Sequence, residues 1–205
     1  MIWSSISIAF SCGFVLILVV LHFLKPEFNP SWRMISEYAI GKFGWLMRLA
    51  FILWSSAIVM LLIALWPTLN SGNEVVGRVW LIVISVALIG ASIFRTNPIT
   101  ETRQSLNHTI HQVCGTVVII TFPIASSILG SYLLSSEYSD YQVLLQISMT
   151  LNWLGLGSFI GTIIVSKLIN HKVGSDGSKL YMGWQNRFLV LVYISWIIVV
   201  MSTLK

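Results

Sequence analysis

Charge is what this sequence has least of. Of 205 residues only 9% are charged, seven of them acidic, while two are cysteine and five proline. A soluble domain carries roughly a quarter of its residues as charges, so a water-exposed globule is excluded. Disorder is excluded too, because a chain this apolar has more than enough surface to bury. Cys12 and Cys114 cannot make a disulfide framework and offer no cysteine-based metal spacing. Lying inside apolar runs, they read as small buried hydrophobes. With no low-complexity tract and no break in composition, a single domain over 1–205 is the economical reading.

What is present is apolar: 56% of residues are hydrophobic and the mean hydropathy is +0.85. Uncharged runs cover 2–23, 49–66, 79–94, 113–134, 141–166 and 188–204. Their flanks, with Arg78 and Arg187 snorkelling to the interface, extend them to spans of about 2–23, 45–66, 75–94, 110–134, 141–167 and 184–204, close to the 20 or so residues a membrane helix needs. The runs are too long and unalternating for barrel strands, and lipid tolerates no open sheet edge. The expected fold is an all-α integral membrane protein, a bundle of six transmembrane helices with short loops. No Lys or Arg precedes Lys25, so a cleavable leader is not expected and the first span is retained.

A net charge of +5 in such a chain marks topology and lipid contact rather than nucleic-acid binding. Ten of the twelve basic residues fall around the first, third and fifth connections: Lys25, Arg33, Lys42, Arg48, then Arg95 and Arg103, then Lys167, Lys172, Lys179 and Arg187. The positive-inside rule places those loops in the cytoplasm and both termini outside, with the inner cell membrane the expected location. Trp3, Trp45, Trp66 and Trp184 sit at span ends, as interfacial rings do. Asn107-x-Thr109 fits a glycosylation acceptor but lies on the inner side and is set aside.

The deep parts of the spans hold no Asp, Glu, Lys or Arg, which weighs against ion-coupled transport. Gln146, Ser148, Thr150 and Asn152 are the polar exceptions, expected to hydrogen-bond between helices. Gly157 and Gly161 form a small-xxx-small pair that would admit a neighbouring helix, within the chain or in a second copy or other membrane partner. Pro123 lacks an amide and collides with the carbonyl of Ile119, so a bend is expected in the fourth span. Three spans per half would make the halves inverted, but no sequence echo supports a repeat.

The remaining polar residues gather on the expected inner face: Ser36-Glu37-Tyr38 and Gly41 to Trp45 in the first loop, Phe94 to Pro98 and His108 to His111 around the third, and Gly183 to Arg187 entering the sixth span. These segments resemble the prokaryotic membrane family labelled domain of unknown function 998. That family shows Ser-x-Tyr then Gly and Gly-Trp, matched by Ser36, Tyr38, Gly41, Gly44 and Trp45; a Phe-x-x-Asp turn; a His opening the fourth span; and a Gly-x-x-x-Arg step into the sixth. Phe94, His111, Gly183 and Arg187 match, while Asn97 stands where the family carries Asp. The resemblance implies a fold and a site location and supplies no reaction.

Two readings of the histidines stand. His108 and His111 share a helix face at i, i+3 and, with His22, His171, Glu37 or Glu101, would suit a metal; alternatively they are satisfied interfacial side chains. No cofactor is expected. Arg95 and Arg187, with Tyr38, Gln185 and Asn97, would form a polar pocket whose guanidinium forks suit phosphate or carboxylate, unless they only snorkel. The candidate site is therefore Ser36, Glu37, Tyr38, Arg95, Asn97, His111, Gln185 and Arg187. The favoured reading is a non-enzymatic module binding a lipid headgroup, small amphiphile or partner protein at the cytoplasmic rim. A lipid-modifying enzyme using His111 and Glu37 is the alternative, and a small transporter the third.

Overall fold

The computed structural model describes residues 2–69, 72–99, 101, 103–135, 141–168 and 182–204. The apolar runs form six helices: α1 (Ile2–Leu24), α2 (Gly44–Leu65), α3 (Gly72–Ile93), α4 (Leu106–Ser135), α5 (Gln142–Leu168) and α6 (Met182–Thr203). Each is long and apolar enough to cross a bilayer, and the described residues contain no strand. This is an all-helical, multi-pass membrane protein. A 3-10 turn over Ile35–Ala39 sits between α1 and α2, where no span was expected. Helices α3 and α4 begin earlier than the expected 75 and 110, because Asn73, Glu74, Asn107 and His108 extend the backbone ladder outside the apolar zone. The connection at 136–140, together with His171, Lys172 and Lys179, lies outside the described residues.

Neighbours in sequence pack together from α1 to α4, α5 packs on α6, and α6 closes the bundle against α1. Helix α6 is the enclosed one: 67% of its span is buried, against 28% of α1. It is also less apolar than α1. The inversion follows from the solvent, since lipid rewards no further burial of apolar surface and helices associate through packing and hydrogen bonds. Ser7 Oγ donates to Ala57 O (2.8 Å), joining α1 to α2, and Ser55 Oγ donates to Ser85 O (2.9 Å), joining α2 to α3. Trp3, Trp45, Trp66 and Trp184 are all exposed at helix ends, and the Arg78 guanidinium lies 4.4 Å above the Trp66 ring.

Several expectations are corrected here. Cys12 is exposed and Cys114 only half-buried; α1 turns Ser4, Ser7 and Ser11 inward, with Ser7 bonded to α2. Within the chain, a Cβ added at Gly157 or Gly161 would meet nothing within 4 Å among the described residues; the close approach to α6 falls at Gly155, where an added Cβ would stand 2.9 Å from Val192 Cγ2. Ser148 and Thr150 do not bridge helices: they donate to Leu145 O and Gln146 O of their own turns. Asn152 is completely buried with no partner for either amide atom among the described residues.

Pro123 lies inside α4, which continues through it. Its ring removes the amide that would have bonded Ile119 O. Tyr193 of α6 takes over that carbonyl, its hydroxyl donating at 2.7 Å while its ring stacks on Phe122 at 4.3 Å and 9°. Tyr193→Phe keeps the stack and strands the carbonyl, so a loss of about 1–3 kcal/mol is expected. Tyr193→Phe combined with Pro123→Ala, which restores an amide donor, should recover most of it. Thermal unfolding of the purified variants in one detergent checks both.

Candidate functional site

The connection from α1 to α2 must cross the bundle end as irregular backbone, and every carbonyl it buries needs a donor. Two basic side chains supply them. Lys25, only 2% exposed, donates from Nζ to Tyr38 O (3.0 Å) and to Ile40 O. Burial pushes its ammonium below the usual lysine range, with Glu27 opposing. Arg187, 3% exposed, reaches across from α6: Nε donates to His22 Nε2 (2.8 Å), Nη1 to Pro30 O (3.2 Å), Arg33 O (2.7 Å) and Gly183 O (3.0 Å), and Nη2 to the Tyr38 hydroxyl (2.9 Å). His22 Nδ1 donates to Leu18 O (2.7 Å), which fixes the tautomer that leaves Nε2 as acceptor.

The first turn of α6 rests directly on this loop. Gly183 N donates to Ser31 O (3.0 Å), and Asn186 Oδ1 accepts from Ile35 N (3.0 Å). A Cβ on Gly183 would overlap Pro30 O and stand 2.6 Å from Arg33 O and 2.9 Å from Trp32 N. Gly44 is held to glycine likewise, since a Cβ there would overlap Ala39 O. The spacing between Gly183 and Arg187 is thus one helical turn that removes bulk at one level and delivers a donor fork to the same loop.

Glu37 ties in the next connection. Its carboxylate pairs with Arg33 and accepts from Met34 N (3.2 Å) and, across to the loop after α3, from Ile99 N (2.8 Å). In that loop Asn97 Nδ2 donates to Glu101 Oε2 (2.7 Å) and Arg103 O (3.1 Å), and Asn97 Oδ1 accepts from Ser105 Oγ (2.7 Å). Asp in this place would set its carboxylate against that of Glu101. His108 Nδ1 accepts from Asn97 N (2.9 Å). His111 does the reverse: Nδ1 lies 3.1 Å from Ala91 O and 2.9 Å from Phe94 O, and since carbonyls only accept, it donates. Among the described residues no three His, Cys, Asp or Glu side chains gather as a metal would require, and the lone pairs of His22 Nε2 and His108 Nδ1 are already occupied.

Beneath this roof is a cavity of about 750 Å³. Ser36, Thr96, His111, Gln112 and Asn186 line its loop end, and Phe51, Leu88, Val118, Phe159 and Leu189 its apolar depth. Gln112 and Thr116 line it and are exposed, so it opens at the bundle surface beside α4. On α4 the lining runs from His111 to Ile119, about 12 Å at 1.5 Å per residue. On α6 it runs from Met182 to Tyr193, about 16 Å.

The structure brings Glu37, Tyr38 and Arg187 into one network, and Ser36 and His111 to one cavity. Asn97 belongs to the neighbouring loop, Arg95 is exposed, and Gln185 is half-buried outside the network. Arg187 does not snorkel outward as a phosphate fork; buried loop carbonyls compete better for its protons than the interface does. Sequence reasoning missed Lys25, Gly183 as a packing position, and Asn186. Lys25 was counted only as a topology marker, yet its place between an apolar run and Pro26 was a signal, since a chain reversing there buries carbonyls next to it.

Neither a curated protein nor a solved structure matches the chain. The family described as "Protein of unknown function (DUF998)" matches residues 8–203, nearly the whole length, and the chain belongs to that family.

Proposed function

We propose that this membrane protein holds a single amphiphilic molecule in the cavity, its polar group under the α1–α2 loop and its chain pointing down among α4, α5 and α6. The observation that carries the reading is the cavity's lining, in which Ser36, Thr96, His111, Gln112 and Asn186 gather toward the loop among apolar side chains, while the residues below are mainly apolar. Its volume falls in the range of about 300–1,000 Å³ of small-molecule sites. Its depth of about 12–16 Å is close to half of a hydrocarbon core about 30 Å thick, so it matches one leaflet. The concentration of basic residues around this end supports placing it at the cytoplasmic face. The buried network of Arg187, Glu37 and Lys25 acts as scaffold, keeping the roof rigid above the occupant.

Gly115 lines the cavity and, among the described residues, has nothing within 4 Å of where a Cβ would sit. Gly115→Trp fills that space without disturbing the roof. The amount of lipid co-purifying with it, measured by mass spectrometry after extraction, is expected to fall by about tenfold or more relative to the native chain, equivalent to about 1.4 kcal/mol of affinity. Equal lipid content in both proteins would contradict the reading.

A further inference from the structure

The face of α4 that meets α5 can be followed along the helix. At the end away from the roof, Trp153 Nε1 of α5 donates to Ser127 Oγ of α4 (2.8 Å), and a Cβ on Gly130 would overlap Met149 Sδ. Gln112 precedes Gly130 by 18 residues, about five turns, and Thr116 precedes Ser127 by 11, about three turns, so all four project from one face of α4. The same spacing of 11 places Ile160 in line with Met149, and Ile164 in line with Trp153, on the facing side of α5. The helices run antiparallel, Gly130 beside Met149 and Ser127 beside Trp153, so Thr116 and Ile164 stand at about one level.

Toward the roof these two faces part. Gln112, Thr116, Ile160 and Ile164 are all exposed, Gln112 and Thr116 also line the cavity, and Ile163 lines it from α5. Each helix is tied here to α6 instead of to its neighbour: the Tyr193 hydroxyl donates to Ile119 O of α4, and Gly155 of α5 lies against Leu189 and Val192. Thr116, Ile160 and Ile164 belong to the uncharged runs 113–134 and 141–166, so the opening faces hydrocarbon, while Gln112 stands just outside, at headgroup level. A chain sliding from the leaflet into the apolar depth of the cavity exchanges one apolar environment for another, whereas a route through water exposes every CH₂ of it. Its polar head stays at the level of Gln112 throughout.

We infer that the cavity loads sideways, through a slot between α4 and α5, and that its occupant is a lipid resident in the leaflet at the roof end rather than an amphiphile collected from water. The inference rests on the amphiphile reading above and adds the source and the route.

The test uses the full chain in liposomes, with Cys12→Ala and Cys114→Ala removing the native thiols, and a nitroxide attached at Gly115→Cys or, separately, at Ile163→Cys. Power-saturation electron paramagnetic resonance then compares two relaxing agents, oxygen, which partitions into hydrocarbon, and nickel ethylenediaminediacetate, which stays in water. Oxygen is expected to relax both labels severalfold more effectively than the nickel complex. Ile160→Trp with Ile164→Trp fills the slot from the α5 side and should lower the oxygen effect at Gly115→Cys severalfold, with the nickel effect still small. Nickel outweighing oxygen would mean a mouth open to water, and labels shielded from both would mean that α4 and α5 close. Either result, or an oxygen effect that the tryptophan pair leaves unchanged, overturns the sideways route while the amphiphile reading stands on the lipid content of Gly115→Trp. Lipid content unchanged in Gly115→Trp brings down that reading and the occupant named here together, even where the slot is open.

Discussion

Arg187→Leu is expected to lower the stability of the purified protein by about 3–5 kcal/mol, the size expected when a buried polar network is broken. The substitution keeps an apolar stem but strands His22 Nε2, the Tyr38 hydroxyl and the carbonyls of Pro30, Arg33 and Gly183, all now served by one guanidinium. Each buried group left unpaired costs about 1–3 kcal/mol, reduced where water or a neighbour reaches it. Arg187→Lys should recover only part of the loss, because an ammonium on a flexible stem cannot reproduce a planar fork serving acceptors on three sides. Tyr38→Phe, which removes one of these partners and leaves the rest, should fall near 1 kcal/mol. Denaturant or thermal unfolding followed by tryptophan fluorescence in one detergent ranks the three. A native-like Arg187→Leu would show that the loop is held by something other than this side chain.

Gly183→Ala is expected to be nearly as damaging, at about 3 kcal/mol or more, by a steric route. The added Cβ meets backbone of the loop, at Pro30, Trp32 and Arg33, and backbone cannot rotate away as a side-chain tip can. Either α6 or the loop must move, and the Arg187 bonds to Pro30 O and Arg33 O lie at the same level. The two substitutions act on one contact, so the double variant should lose clearly less than the sum of the singles. Gly157→Ala supplies the control: among the described residues nothing lies within 4 Å of its Cβ position, and its effect should stay within about 0.5 kcal/mol. Similar losses at both glycines would mean that helix propensity, rather than the loop contact, decides the outcome.

The six helices were legible because lipid makes a simple demand, about 20 uncharged residues for each crossing. The motif residues were legible as positions and not as roles. Tyr38, Gly44, Gly183 and Arg187 stood out as a pattern, but whether an arginine at a span end turns outward to headgroups or inward to a loop is settled by carbonyls contributed from residues 30–33, some 150 positions away. Lys25 counted in the charge asymmetry, while its bonds to Tyr38 O and Ile40 O depend on a loop fold that the asymmetry does not encode. Within the chain the glycine pair at 157 and 161 does not mark the α5–α6 contact, because register between these helices chooses Gly155, and register depends on side chains from both helices. The compensation at Pro123 was half visible: Ile119 O could be named as the freed acceptor, whereas its donor, Tyr193, comes from another helix. The cavity was not legible at all, since it is a place where α4 and α5 leave space, and no local pattern encodes missing contact.

In the proposed function, the loop pinned by Arg187 roofs a one-leaflet amphiphile site. The most direct test is a cryo-electron microscopy map of the full chain, rigidified by a bound antibody fragment and embedded in nanodiscs of its host's lipids, at a resolution that shows side chains. The account predicts one elongated density running from Ser36 and His111 down to the level of Tyr193, with Arg187 on the loop carbonyls above it. A map in which α5 closes onto Gly115 and leaves no room, or in which Arg187 turns out to the headgroups, would contradict it.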